Sequence, residues 1–350
     1  MFAKAFEVLR KGVADRAFPG CAAAVSYRGK LAALKGVGRF TYEQNAAEVQ
    51  ADTIFDLASV SKVVATTAMA MLLYQRGHLE LETPVASIVP EFSAGGDERR
   101  KQVTIRMLLA HSSGLPAYEK LFQKAHNRAE LVKNAISTPL TADPTTHAEY
   151  SDIGFIVLGE VLGRIADEPL DRFCQREIFG PLGLAHTCFC PPANWKQSIP
   201  PTEDDREFRR RIIQGEVQDE NASVMDGVAG HAGLFATASN VALFAETMLN
   251  GRSPIFRPET VALFTRRETV PLGTSRALGW DSPSSPSQSG HHFSAGSFGH
   301  LGYTGTSLWV DPARHLSVTL LSNRTWPDRS GQGIKEIRPR FHDAVVEALT

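Results

Sequence analysis

Ser59 and Lys62 stand three residues apart at the head of an apolar helical run. A serine hydroxyl becomes a nucleophile only with a base beside it. Residues three apart share a helix face, so the Lys62 amine reaches the Ser59 oxygen. The segment 53–58 reads as a short strand or tight lead-in, and 63–75, rich in Ala, Met and Leu, reads as a buried helix. Ser59 therefore sits at a helix N-terminus, where free N–H groups and the macrodipole favour developing negative charge. A lysine acts as a base when burial or nearby positive charge lowers its pKa, and this position offers both. Taken alone, the pair also fits a capping serine followed by a snorkelling lysine.

Two further groups bear on the same chemistry. Tyr150-Ser151-Asp152 precedes an apolar helical stretch, where Ser151 or Asp152 can cap the helix and Tyr150 can be a hydrogen-bonded core tyrosine. Gly299-His300-Leu301-Gly302-Tyr303-Thr304-Gly305-Thr306 places three glycines around one strand. Glycines there admit a close backbone or ligand, and such a strand edge can aim an N–H at a carbonyl oxygen, half of an oxyanion hole. The plainer reading is a glycine-rich turn with an incidental histidine.

The elements that must hold these groups follow from periodicity. Alternation predicts strands over 21–27 and 31–37, joined by the turn 28–30. Helical periods dominate from 59 to about 267, over 105–110, 129–136, 153–165, 170–178, 241–250 and 258–265. Strands return at 308–310 and 316–321, around a turn at 311–315, and a last helix spans 335–349. Both chain ends thus carry strands and a helix. The expected fold is α/β of the α+β type, a single domain over 1–350. An antiparallel sheet from the two ends (about 1–58 and 270–350), with the terminal helices on one face, would hold an inserted all-helical lobe (about 59–269). Ser59 falls at the junction, where clefts tend to lie. The stretch 282–290, rich in serine and proline, reads as a surface loop, and 200–211 is charged without an apolar face.

Composition excludes several classes. The chain has 350 residues, 43% hydrophobic and 21% charged, with a formal net charge of -1, so no strong field steers nucleic acid or an anionic membrane. No apolar run reaches membrane-spanning length. Residues 1–11 read as an amphipathic helix with interspersed charges rather than an export signal, so a cytoplasmic location is expected. Cys21, Cys174, Cys188 and Cys190 lack a zinc-binding spacing and read as free thiols. The eleven histidines show no metal-binding pattern. No metal or organic cofactor is expected, and the expected partner is a small-molecule ester or amide.

In their order, Ser59-x-x-Lys62, Tyr150-x-Asp152 and His300-x-Gly302 resemble the motifs of the serine β-lactamase and penicillin-binding protein superfamily, which includes class C β-lactamase-like esterases. Segments 55–59, 104–116, 227–235 and 304–307 are also similar to family segments, and the likeness runs from Phe18 to Asn323. The resemblance implies that Ser59 is the acylated nucleophile and that Lys62 and Tyr150 handle its proton. Which of the two accepts it stays open, because their titrations are coupled. It implies an oxyanion hole from the Ser59 and Tyr303 N–H groups, with Asp152, His300 and Gly302 around the substrate. Two positions depart from the common pattern. Asp152 stands where many β-lactamases carry Asn; an ionised carboxylate only accepts hydrogen bonds, and it can pair with Lys62 and raise its pKa. His300 stands where Lys is common, and a histidine is mostly neutral near pH 7. Both changes weaken recognition of a carboxylated amide. His111 and His231 are read as structural, each hydrogen-bonded between elements. The expected activity is that of a serine carboxylesterase on small or medium acyl esters. The alternatives are a D,D-peptidase, D-aminopeptidase or weak β-lactamase, and a penicillin-binding sensor that does not turn over.

Overall fold

The computed structural model describes residues 1–249 and 253–349; Asn250, the expected end of the helix over 241–250, lies outside them. The chain opens with a helix, Ala3–Ala14, followed by β1 (Gly20–Tyr27), β2 (Lys30–Gly38) and β3 (Ile54–Asp56). Four short strands come from the middle of the chain: β4 (Thr187–Phe189), β5 (Glu203–Asp205), β6 (Arg211–Ile213) and β7 (Leu234–Thr237). The C-terminal part supplies β8 (Phe298–Leu301), β9 (Ser307–Asp311) and β10 (Leu316–Ser322), then the helix Ile334–Glu347.

The main sheet has five strands in the order β2-β1-β10-β9-β8, every neighbour antiparallel. Its centre joins the two chain ends, with Cys21 opposite Ser322 and Tyr27 opposite Leu316. Side chains alternate between its faces, as the strand pleat requires. Cys21, Ala23 and Val25 face a cluster built on Phe6, Leu9, Ile337 and Phe341 of the two terminal helices. Ala22 and Ala24 face the larger cluster that fills the rest of the molecule.

Mixed α/β architecture with an antiparallel sheet from both ends is as expected. The inserted segment, however, is not all-helical. β3, β7 and β4 form a three-stranded sheet, and β5 pairs with β6 where a charged segment without an apolar face was expected. Three-residue strands are too short to show a period of two, and Glu203 and Asp205 of β5 point their charges inward. The lobe boundary also shifts. Helix Ala238–Leu249, assigned by sequence position to the insert, packs on β1, β9 and β10 and covers the sheet face opposite the terminal helices. The helix expected over 63–75 is uniform only in its second half. It begins with a tight turn at Ala58–Val60, widens over Lys62–Thr67, and becomes α-helical at Ala68–Gln75. The wide part carries Val63, Val64, Thr66 and Thr67, β-branched residues that crowd a regular helix. The serine- and proline-rich stretch 282–290 has neither helix nor strand, as expected. Among the described residues no helix is long and apolar enough to cross a membrane.

Candidate active site

β3 pairs with β7, and one more bond, Leu57 N–H to the Leu234 carbonyl at 2.9 Å, carries the pairing to the turn before Ser59. There the backbone swings to a left-handed conformation at Ala58, φ +45°. That geometry costs roughly 1–2 kcal/mol for a residue with a Cβ. The Asp56 carboxylate holds it, accepting the Ala58 N–H at 2.8 Å and the Gln218 N–H at 2.7 Å. Burial pushes the Asp56 pKa up to about 6, against the pull of those two bonds. The sheet side bolts on at the same place. Thr304 Oγ1 donates to the Asp56 carbonyl at 2.9 Å and Thr306 Oγ1 to the Leu57 carbonyl at 2.8 Å. Ser59 emerges partly exposed into a cleft of about 680 Å³.

Lys62, one turn on, is fully buried. Its three protons meet three acceptors: Asp152 Oδ1 at 2.7 Å, Ser59 Oγ at 2.9 Å and the His231 carbonyl at 3.0 Å. Burial draws the Lys62 pKa down, but the adjoining Asp152 charge, aided by Tyr150, outweighs it, and the net direction is up. The pairing foreseen for Asp152 is therefore present, and it holds the lysine as an ammonium. Tyr150 leans over the same group, its ring centroid 4.8 Å from Nζ. Its hydroxyl lies in hydrogen-bonding range of Lys62 and Ser59. Burial raises its pKa, and Asp152 adds to the rise while Lys62 opposes it. The second motif is fixed by Ser151, whose Oγ caps the helix Asp152–Ala166 through the Gly154 N–H at 2.9 Å.

The third motif closes the cleft from the sheet. Gly302 is wedged so tightly that a Cβ would stand 1.9 Å from Thr306 Oγ1 and 2.5 Å from the Leu57 carbonyl. The next N–H, that of Tyr303, has no acceptor among the described residues, and its ring is 48% exposed at the cleft wall. An N–H left free beside Ser59 is what a developing oxyanion requires. His300 is buried; its Nδ1–H donates to the Leu301 carbonyl at 2.7 Å, which leaves Nε2 as the unprotonated nitrogen. Burial, then the Lys62 and Arg276 charges, take its pKa well below the usual value, so the ring is neutral. All seven residues expected at the site thus meet around one cleft.

His111 and His231 pack behind this group. His111 Nδ1 accepts the Ser151 N–H at 3.0 Å, and its ring lies 4.7 Å from that of Tyr150. His231 Nε2 bonds Asp219 Oδ1 at 2.9 Å, while its carbonyl holds Lys62. Burial alone would raise the Asp219 pKa, but His231 and the Ala222 N–H bring it down to about 2. Sequence reasoning missed two residues on the cleft wall. Arg276 lines it with the guanidinium carbon 5.3 Å from the Tyr150 ring centroid, loosely tied to Asp281 at 3.6 Å. No motif marks it, because it lies in a stretch without regular structure. Asp219 caps the helix Glu220–Val224, whose five residues are too few to show a helical period in the sequence.

An N-acetylmuramyl-L-alanine amidase of Bacillus subtilis (strain 168) is 34% identical over 310 residues, 79% of this chain and 69% of that protein. A protein of Escherichia coli (strain K12), provisionally named D-alanyl-D-alanine carboxypeptidase, is 31% identical over 329 residues, 86% of this chain and 76% of that one. Among solved structures, the hydrolase EstCE1, described as having promiscuous acyltransferase activity, matches with a TM-score of 0.78 at 23% identity, covering 99% of this chain and 98% of its own. The penicillin-binding protein homologue of Pyrococcus abyssi matches with a TM-score of 0.76 at 19% identity, covering 99% and 76%. These two likenesses speak to the fold. With the beta-lactamase family model matching residues 6–338, the chain belongs to the beta-lactamase family of serine hydrolases.

Proposed function

We propose that this protein hydrolyses small amides that carry a free carboxylate, through an ester formed on Ser59. Ser59 Oγ attacks the acyl carbon while its proton passes to whichever of Lys62 and Tyr150 has first released its own proton to solvent. The carbonyl oxygen gathers negative charge against the Ser59 and Tyr303 N–H groups. The pair returns the proton to the leaving amine, and water repeats the sequence on the acyl-enzyme. The observation that carries the substrate reading is Arg276. An ester preference was expected because neutral His300 offers a carboxylate no charge. Arg276 supplies that charge from the same cleft, beside Tyr150. Asp152 is engaged by Lys62, so its charge is already balanced within the site. The names of the relatives at 31% and 34% identity, both for hydrolases of cell-wall-type amides, support the same substrate class.

The ester reading keeps one supporting feature. The cleft wall near Ser59 presents Leu301, Ala232 and the exposed Tyr303 ring, surfaces suited to an uncharged acyl chain.

A rate panel tests both readings: p-nitrophenyl esters, a chromogenic cephalosporin, D-alanyl-D-alanine peptides and muramyl-L-alanine amides. The amide reading expects the highest kcat/KM on a carboxylated amide. It expects Arg276→Gln to raise KM there by roughly tenfold to a hundredfold, the loss of one charged hydrogen bond, with a smaller change on p-nitrophenyl acetate. Esters outpacing every amide, with Arg276→Gln affecting both alike, would leave the carboxylesterase reading. A stable acyl-enzyme without turnover would point to a sensor. A fluorophosphonate adduct found by mass spectrometry on a residue other than Ser59 would sink the mechanism itself.

A further inference from the structure

The catalytic cleft does not end at its outer wall. Tyr118, Glu220 and Arg329 line the cleft on one side and a second cavity, of about 670 Å³, on the other. The second cavity is thus as large as the first and shares three residues with it. Its walls are β5 and the chain just after it (203–208), the segment 327–330 and residues of 118–123. Arg329 forms the partition. It donates to Glu203 at 2.7 and 2.8 Å and to Glu220 at 2.6 Å, so its charge is spent within the wall.

Two features give this cavity a chemical sense. Phe122 and Phe208 meet there with ring centroids 4.8 Å apart, and both are only partly buried. The lining also carries six carboxylates against Lys120, Arg206 and Arg329, and with Arg209 behind Asp205 the surplus is two negative charges. Asp204 is balanced by Arg206 at 2.8 Å and Asp205 by Arg209 at 2.8 Å. Glu203 and Glu220 share the single charge of Arg329. Glu207 and Asp328 make no ion pair among the described residues, although Asp328 accepts from the Ser330 N–H at 2.8 Å. Aromatic faces within a region of surplus negative charge attract cations, through the ring quadrupole and the carboxylates together.

We propose that the second cavity is a substrate subsite for a cationic group, an ammonium or guanidinium, carried at the distal end of a molecule whose scissile carbonyl lies at Ser59. The shared wall of Tyr118, Glu220 and Arg329 is the saddle the substrate crosses. The subsite rests on acyl transfer at Ser59 and is independent of the carboxylate reading, because Arg276 does not line this cavity.

The test uses p-nitrophenyl esters of straight-chain acids ending in trimethylammonium, in rising length, each paired with the isosteric p-nitrophenyl ester whose acid ends in a tert-butyl group. Neither series carries a carboxylate, so a failure of the Arg276 reading leaves this test intact. The kcat/KM ratio of cationic to neutral ester should stay near one for short chains. Once the chain reaches the cavity it should rise about tenfold, the size of one modest cation–aromatic and charge contact. In the Glu207→Gln/Asp328→Asn double variant and in Phe208→Leu the ratio at that length should fall back toward one. Glu207 and Asp328 are exposed, so the double variant should fold; melting temperature checks this. A ratio flat with length overturns the subsite. A ratio that rises but survives both variants overturns its assignment to this cavity.

Discussion

Lys62 brings three protons to three acceptors, and only one acceptor, Asp152, is charged. The Asp152 carboxylate pushes the pKa of Lys62 up and that of Tyr150 up as well. Whichever of the two accepts the Ser59 proton must first lose its own, at a higher pH than it would without Asp152. Asp152→Asn should therefore move the acidic limb of the kcat/KM profile to lower pH, and an unmoved or alkaline-shifted limb would remove Asp152 from the control of the base. Stability should fall too, because removing one partner of a buried ion pair typically costs about 3–5 kcal/mol. Since the Lys62 pKa is raised in the fold, its own contribution is present in full across neutral pH and is lost only as pH climbs through the raised value. Lys62→Ala and Tyr150→Phe should each lower kcat by ~10²–10⁴-fold, as loss of a general base does. Near-native turnover in either variant would exclude that residue. At this scale the sequence was most readable where residues lie within one turn, as Ser59 and Lys62 do. The Lys62–Asp152 pair spans 90 positions and was legible only through the family resemblance. Arg276 carries neither a local pattern nor a motif, so only the folded chain brings it to Tyr150.

The turn after β8 joins the two sides of the site, and its geometry leaves no room for error. Gly302 is held between Thr306 and Leu57, with its N–H bonded to the Thr306 carbonyl at 2.8 Å. Gly302→Ala must displace one of those neighbours, a strain of ~1–3 kcal/mol for overpacking. The displaced part includes the Tyr303 amide. Losing one oxyanion donor costs ~10²–10³-fold in kcat, so kcat should fall in that range while KM changes little. A variant that keeps its fold and turns over within a few-fold of the parent would show that the Tyr303 amide carries no such charge. Long elements with clear periods were legible: β1 and β2 are within a residue or two of expectation, and so is the helix Asp152–Ala166. β3 falls within the short strand or tight lead-in expected over 53–58, but the short strands β4 to β7 were not legible. Three or four residues hold too little alternation to separate a strand from a loop, and long-range pairing rather than local preference forms them.

On the scale of the molecule, the cleft exists because two layers of structure meet at one core. Ala22 and Ala24 of β1, Leu308 and Val310 of β9 and Leu321 of β10 belong to the same apolar cluster as the buried face of the helix Asp152–Ala166. Helix Ala238–Leu249 comes from the insert but packs on the sheet. The sequence showed which ends form the sheet but not that this helix covers it, since an amphipathic stripe says that a face is buried and not against what. A shared core predicts a single cooperative melt despite the length of the chain. Phe341 is the place to test it, on the face of the sheet away from the cleft. It is fully buried in the cluster of the terminal helices, with its ring 6.4 Å from that of Phe6. Phe341→Ala should cost ~3–5 kcal/mol, as deletion of a buried phenyl ring does. Phe341 is not among the residues that line the Ser59 cleft, although Ile334, Lys335 and Arg338 of the same helix reach it. At temperatures well below the transition, kcat/KM should therefore match the parent. On heating, loss of activity and loss of helical circular dichroism should move down together. Two separated calorimetric transitions, with activity surviving the first, would mean that the terminal helices melt apart from the cleft and that the two layers are energetically distinct.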